Sequence, residues 1–241
     1  MSVAADATRK IKRAASGSIL ETQPGYRTAM GVMGVTMPII LMAASLLGFL
    51  KTRQLENSIS AYYWTGIGDW FVGTLFVIGV FLFFYRYSQY EGDRPRSQYA
   101  SIRAGHADAW LGKVSGIAAL VVALFPTYQS VPTLPPIIGK IHGSAAAILF
   151  LCLSMFPLLL FSQSRKRERF QLFYGWSMLA VLLAIVAYRF GPESFRQATA
   201  ALKPVLFMET MLIMLFGVSW FDKGRELSAK EKEARPVRRA S

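Results

Sequence analysis

The 241-residue sequence predicts an all-α polytopic membrane bundle of six transmembrane helices with both termini in the cytoplasm. Three observations lead there. Six long apolar runs divide the chain, which soluble cores of this length rarely contain. Most of these runs approach the ~20 residues that an α-helix needs to cross roughly 30 Å of hydrocarbon. The Lys and Arg residues between the runs fall almost entirely on alternate loops.

The first run is Met30 to Leu50, thinned by Gly31, Gly34 and Ala43 and carrying Pro38, a predicted kink. The second, Trp70 to Tyr85, is short and borrows flanking residues such as Gly68 and Tyr87. The third, Trp110 to Phe125, is also short and carries the small-xxx-small step Gly112–Gly116, which lets helix backbones approach closely. The fourth, Ile141 to Phe161, contains Pro157, a second predicted kink, and the single cysteine, Cys152. One cysteine excludes an internal disulfide, and it reads as a small packing residue. The fifth run is Leu172 to Tyr188. The sixth is Pro204 to Phe221, with Pro204 at the helix start, where its missing N–H costs nothing.

Charge sets the orientation. Arg9, Lys10, Lys12, Arg13 and Arg27 precede the first run, and Arg86, Arg94, Arg96 and Arg103 follow the second. Arg165, Lys166, Arg167 and Arg169 follow the fourth, and seven more basic residues lie in the tail from Lys223 to Arg239. These are 20 of the 27 basic residues. The other loops hold Lys51, Arg53, Lys140, Arg189, Arg196 and Lys203, and Lys113 lies inside the third run. The positive-inside rule then places both ends in the cytoplasm. It also explains the net charge of +13 without nucleic acid, as topology plus attraction to anionic headgroups. Three regions follow: a basic arm at 1–27, the bundle at 28–222 and a charged tail at 223–241 that extends the sixth helix. The first run reads as a retained signal anchor, not a cleaved leader. The expected location is a bacterial inner membrane. The expected partners are membrane lipids, with a homo-oligomer allowed. Aromatic residues Tyr62, Tyr63, Trp64, Trp70, Trp220 and Phe221 fall near the expected interfaces, where an aromatic belt accounts for most of them.

Few ionisable residues fall within the spans: Asp69, Lys113, His142 and Glu209. A charge at mid-bilayer costs about 2.5–3.5 kcal/mol on insertion scales, so each needs a reason. Lys113 snorkels from near the cytoplasmic end of its helix. Asp69 suits an N-cap of the second helix. His142 taken alone is an interfacial histidine, and His106 is a solvated loop residue. Glu209 is harder to explain, since it lies roughly 8 Å inside the sixth helix among Leu206, Phe207, Met208 and Leu212. Alternating helix directions put Asp69, His142 and Glu209 in the outer third of the membrane, with Ser58 and Ser60 in the loop beside them. Two carboxylates and an imidazole at one depth suit a proton relay, a metal site or the activation of water. Common depth does not establish that they face one another.

The strings SISAYYWTGIGDWFVGTLFVIGVFLFFYR (58–86), LGKVSGIAALVVALFPT (111–127), IHGSAAAILFLCLSMFPLLLF (141–161) and FMETMLIMLFGVSWFDKG (207–224) resemble a family of bacterial multi-pass membrane proteins that share a domain of unknown function. The resemblance implies a shared fold and puts Ser60, Asp69, His142 and Glu209 in its motifs. A more distant similarity is to the alkaline ceramidases and progestin/adipoQ-type receptors, seven-helix hydrolases with a zinc ion, a serine, an aspartate and three histidines. That similarity implies Ser60 or Ser58, Asp69 and His142 in the corresponding roles. With six spans and no histidine pair, a three-histidine zinc site is excluded. Zinc on Asp69, His142 and Glu209 is chemically allowed, though poor in nitrogen ligands.

The leading expectation is a membrane-embedded hydrolase-like enzyme acting on a lipid or lipid-linked group at the outer leaflet. In it, Asp69 and Glu209 activate water or hold a metal, His142 is the general acid/base and Ser60 orients the substrate. The alternatives are a proton-coupled transporter titrating at Glu209 and a non-catalytic lipid-binding or accessory subunit. The scarcity of polar residues in the cytoplasmic half, Lys113 apart, argues against a continuous transport path. The chain has no Walker motif, GxSxG elbow, HExxH, CxxC or dinucleotide fingerprint, which disfavours ATP hydrolysis, that type of esterase and redox work.

Overall fold

The computed structural model describes residues 23–50, 53–85, 98–127, 135–163 and 167–237, with only the backbone at 23, 98–108, 163 and 230–237. The remaining basic residues of the arm, Lys51, Arg86, Arg94, Arg96, Arg165, Lys166, Arg238 and Arg239 lie outside the described residues, as do the side chains of Arg103 and His106. Among the described residues the chain is helical, without strands.

Helix α1 spans Gln23–Leu46, α2 Gly68–Phe83, α3 Gln98–Leu124, α4 Pro136–Met155, α5 Glu168–Phe190, α6 Glu193–Thr199 and α7 Pro204–Val237. Helices α1, α4, α5 and α7 are long and apolar enough to cross a membrane. Helix α2 and the apolar part of α3, Ala109–Leu124, are shorter. The outcome is an α-helical membrane bundle. It also contains a short helix, α6, that the apolar runs did not announce, and α7 continues through the expected tail to Val237. The boundaries drawn at 27 and 223 therefore fall inside α1 and α7.

Two backbone contacts organise the helices. A Cβ on Gly31 would sit 2.4 Å from the Phe221 nitrogen, and one on Gly217 2.7 Å from the Val35 nitrogen, so α1 and α7 touch backbone to backbone. A Cβ on Gly116 would sit 2.5 Å from the Phe83 nitrogen, and one on Gly112 2.8 Å from the Leu82 oxygen, which packs α3 on α2. Small residues serve this purpose where lipid supplies no hydrophobic drive between helices. Pro204 opens α7 as expected. Pro38 does not interrupt α1. At Pro157 the missing N–H and the ring clash are absorbed by a π-helical turn, Phe156–Leu160, followed by a 3₁₀ turn, Phe161–Gln163.

The aromatic belt needs correction. Trp70, Trp110 and Trp176 are exposed along the bundle, but Tyr62 and Trp220 are completely buried. Tyr62 goes inside because the segment after α1 folds back over the bundle: its 3₁₀ turn, Ser60–Trp64, places Ile59, Ala61 and Tyr62 in the core. Lys113 is exposed, with its ammonium 5.6 Å from the Trp110 ring centre.

Candidate functional site

Among the described residues two polar centres stand out, one at each end of the bundle. The first lies at the end formed by residues 53–67 and the start of α7. The leading N–H groups of a helical turn have no partner within it, so an acceptor must be supplied. Ser58 Oγ meets the Ala61 N–H at 3.0 Å. Glu209 Oε2 accepts from the Ile59 N–H at 2.7 Å, and the Ser60 N–H also bonds the same carboxylate. Glu209 thus reaches from α7 to the head of the 3₁₀ turn, where the partial positive charge of exposed amides favours an anion. Lys203 adds a second tie, donating from Nζ to the Leu55 carbonyl. Its backbone is left-handed at φ 50°, a conformation uncommon outside glycine and, among other residues, commonest for Asn, Asp and His. Trp64 Nε1 bonds the Thr127 oxygen at 3.0 Å, and Ser45 Oγ donates to the Tyr62 hydroxyl at 3.1 Å.

Ser60 and Glu209 line a cavity of about 40 Å³ in the middle of the bundle. The other walls are apolar, and they come from α1 (Met37), α2 (Phe71, Leu75), α3 (Val122), α4 (Ala146, Phe150) and α7 (Ile213, Phe216). Glu209 and Phe216 are seven residues apart on α7, so the cavity reaches roughly 10 Å along the helix axis.

The expected constellation does not assemble. Asp69 is exposed in the first turn of α2, and the N-cap is Ile67 without any side-chain bond, so Asp69 is not the cap. There it favours the positive helix end only through charge. His142 is buried on α4, but its Nδ1 lies 2.6 Å from the Phe125 carbonyl at the end of α3, where it must donate. Its Nε2 has no hydrogen-bond partner among the described residues. Among the described residues no group of three or more His, Cys, Asp or Glu side chains is placed to hold a metal ion. Zinc on Asp69, His142 and Glu209 therefore has no geometric basis: common depth brought these residues to one end, but helix rotation turned them to different neighbours. Only Ser60 and Glu209 are brought together.

The second centre, at the basic end, escaped the sequence reading. Arg27, Gln171, Ser219 and Lys223 are fully buried, and Glu226 nearly so. Arg27 Nη2 donates to the Tyr85 hydroxyl at 2.8 Å, and its guanidinium lies over the Tyr85 and Phe161 rings, 5.5 and 5.2 Å from their centres. Lys223 Nζ pairs with Glu226 Oε2 at 3.1 Å. Gln171 and Ser219 exchange two bonds, at 2.7 and 3.2 Å, and Arg167 pairs with Asp222. Phe156, Phe161, Tyr85 and Phe216 surround Trp220 with ring centres 5.1 to 5.6 Å away. The charge count places Arg27 and Lys223 among the loop charges, whereas both are buried. For Lys223 the sequence carries a signal, the continuation of the inward stripe Glu209, Ile213, Phe216, Trp220, Lys223 at helical spacing beyond residue 222.

No family model matches the chain, and neither the curated proteins nor the solved structures contain a detectable match.

Proposed function

We propose that this chain is a six-span protein of the bacterial inner membrane, with both termini cytoplasmic, that works as a proton-coupled carrier with Glu209 as its coupling carboxylate. One observation carries the reading. A single face of α7 bears a carboxylate opening on a central cavity, then an aromatic seal at Phe216 and Trp220, then the buried charges of Lys223 and Glu226. Buried Arg27, Gln171, Ser219, Lys223 and Glu226 supply polar groups in the half of the bundle that was expected to lack them, which supports this reading. Irregular backbone at membrane depth is tolerated where it is buried in protein or lines a cavity, and the Ser60–Trp64 turn does both. The π-turn at Phe156–Leu160 sits at the seal, and π-turns concentrate at functional sites. Carriers of known architecture likewise put cargo sites near the midplane beside broken helices.

The hydrolase reading, and with it the likeness to ceramidase-type enzymes, requires Ser60 or Ser58, Asp69 and His142 to act on one substrate. Asp69 on an exposed face and His142 bonded to Phe125 give it no support. The resemblance to a family of bacterial membrane proteins, which implied a shared fold, has no family-model match behind it and carries no part of this reading.

Cysteine accessibility tests the carrier. In a Cys152→Ser background, Ile213→Cys is expected to react with the membrane-impermeant, ring-free reagent 2-sulfonatoethyl methanethiosulfonate in right-side-out and in inverted vesicles, because alternating access widens the cavity to water on each side in turn. Lys230→Cys should react only in inverted vesicles. Labelling of Ile213→Cys from one side only, or from neither, would overturn the carrier; labelling of Lys230→Cys from outside would overturn the orientation.

A further inference from the structure

Resting on that carrier reading, we propose that the Glu209 cavity takes a small organic monocation, an alkylammonium of about four heavy atoms. Size, polarity and charge each narrow the choice. A volume of about 40 Å³ accommodates about three to four water-sized groups and is far below the roughly 150 Å³ apolar cavity that accepts benzene. Lipid tails and ring systems are therefore excluded. Water alone needs two to four polar partners per molecule, and here only Ser60 and Glu209 offer any. Sugars and amino acids would leave most of their polar groups unsatisfied against Leu75, Val122 and Ile213. Anions meet a carboxylate and no lining cation.

What remains is an apolar body with a single positive charge. A carboxylate has about four acceptor positions. The Ile59 and Ser60 amides use two of them, leaving room for an ammonium N–H. Phe71, Phe150 and Phe216 add aromatic rings to the lining, and ring faces attract a cation. Coupling to protons follows from electroneutrality: one carboxylate holds either the ammonium or a proton, so the two exchange. The charged groups facing Glu209 from neighbouring elements are few. The Arg189 charge acts from the end of α5, and the neutral Ile59 and Ser60 amides approach from the loop. Among the described residues, no ionisable side chain of α1 to α4 lines the cavity.

Calorimetry on the detergent-solubilised protein provides the test, with isopropylammonium chloride as probe and isopropanol as its neutral counterpart of equal size. The ammonium is expected to bind at least about ten-fold more tightly than the alcohol, and Glu209→Gln to remove that preference. Glutamine keeps an oxygen for the Ile59 N–H, and a monodisperse elution profile checks the fold. Ala146→Leu, which leaves the carboxylate intact and fills the void, should abolish binding of both. Equal binding of the alcohol, an unchanged preference in Glu209→Gln, or binding of neither probe overturns the cation site. Two-sided labelling of Ile213→Cys without ammonium binding would leave a carrier of other cargo. Ammonium binding with one-sided labelling would leave a cation site and remove the carrier.

Discussion

The two polar centres spend similar chemistry in opposite ways. At the basic end, Arg27 lies over two aromatic rings with a tyrosine hydroxyl as partner, Lys223 has Glu226, and Gln171 has Ser219. Side chain meets side chain. At the other end, Glu209 is met by backbone amides and faces a void. An ionisable group inside a membrane bundle is therefore not a site by virtue of its charge. Acceptor capacity left over beside empty volume separates the group that can take a ligand from the group that braces helices.

Truncation at the two centres should break or sharpen this contrast most strongly. Arg27→Ala strips a fully buried guanidinium from Tyr85 and Phe161 and leaves a polar hole, an effect on the order of 3 kcal/mol by analogy with broken buried ion pairs. Arg27→Lys should recover only part of the loss, because an ammonium lacks the planar stack. Glu209→Gln retains an acceptor for the Ile59 N–H, and its cost should stay below about 1 kcal/mol. Thermal unfolding in detergent measures all three. If Glu209→Gln costs as much as Arg27→Ala, then Glu209 is a brace too, and the proposed distinction fails.

The next contrast concerns space. Adding a methyl at Gly31 must push α1 from the Phe221 backbone, and overpacking of this kind costs about 1–3 kcal/mol. At Gly143 on α4, a Cβ would meet nothing within 4 Å, so Gly143→Ala should be neutral or slightly stabilising through helix propensity. Comparing the two melting temperatures tests whether rigidity is concentrated at the α1–α7 seam. Equal shifts would mean that it is not.

The helical bundle was legible because apolar run length is a strong local signal. Gly112 and Gly116 were legible because close packing requires a missing side chain. The polar centres were legible only in part, and the physical reason is helix rotation. Depth is read by counting residues along a span, which is why Glu209, His142 and Asp69 were expected at one end. Azimuth depends on packing, which turned Asp69 outward and His142 toward Phe125. Arg27 and Lys223 show the converse error. A basic residue near a span end is usually a topological marker, and beyond the helical stripe that ends at Lys223 nothing local reveals that glycine contacts bring α1 and α7 close where both cations are enclosed. The return of residues 53–67 into the bundle was hidden for the same reason, since its anchors, Lys203 and Glu209, lie about 150 positions downstream.

The smallest effect concerns that returning segment. Burial pushes the Glu56 carboxyl above its usual range, and the charge of Lys203 pulls it part of the way back. An acid whose pKa is raised on folding binds its proton more tightly in the folded state. Its ionised form therefore opposes folding above that raised value, and the penalty disappears below the unfolded value near pH 4. Glu56→Gln should raise the melting temperature by about 1 °C at pH 7 and leave it unchanged below about pH 4. A lower melting temperature at pH 7 would mean that the attraction of Lys203 outweighs burial. The loop would then be held by paired side-chain charge, as the basic end is, and the difference between the two centres would narrow to the Glu209 cavity alone.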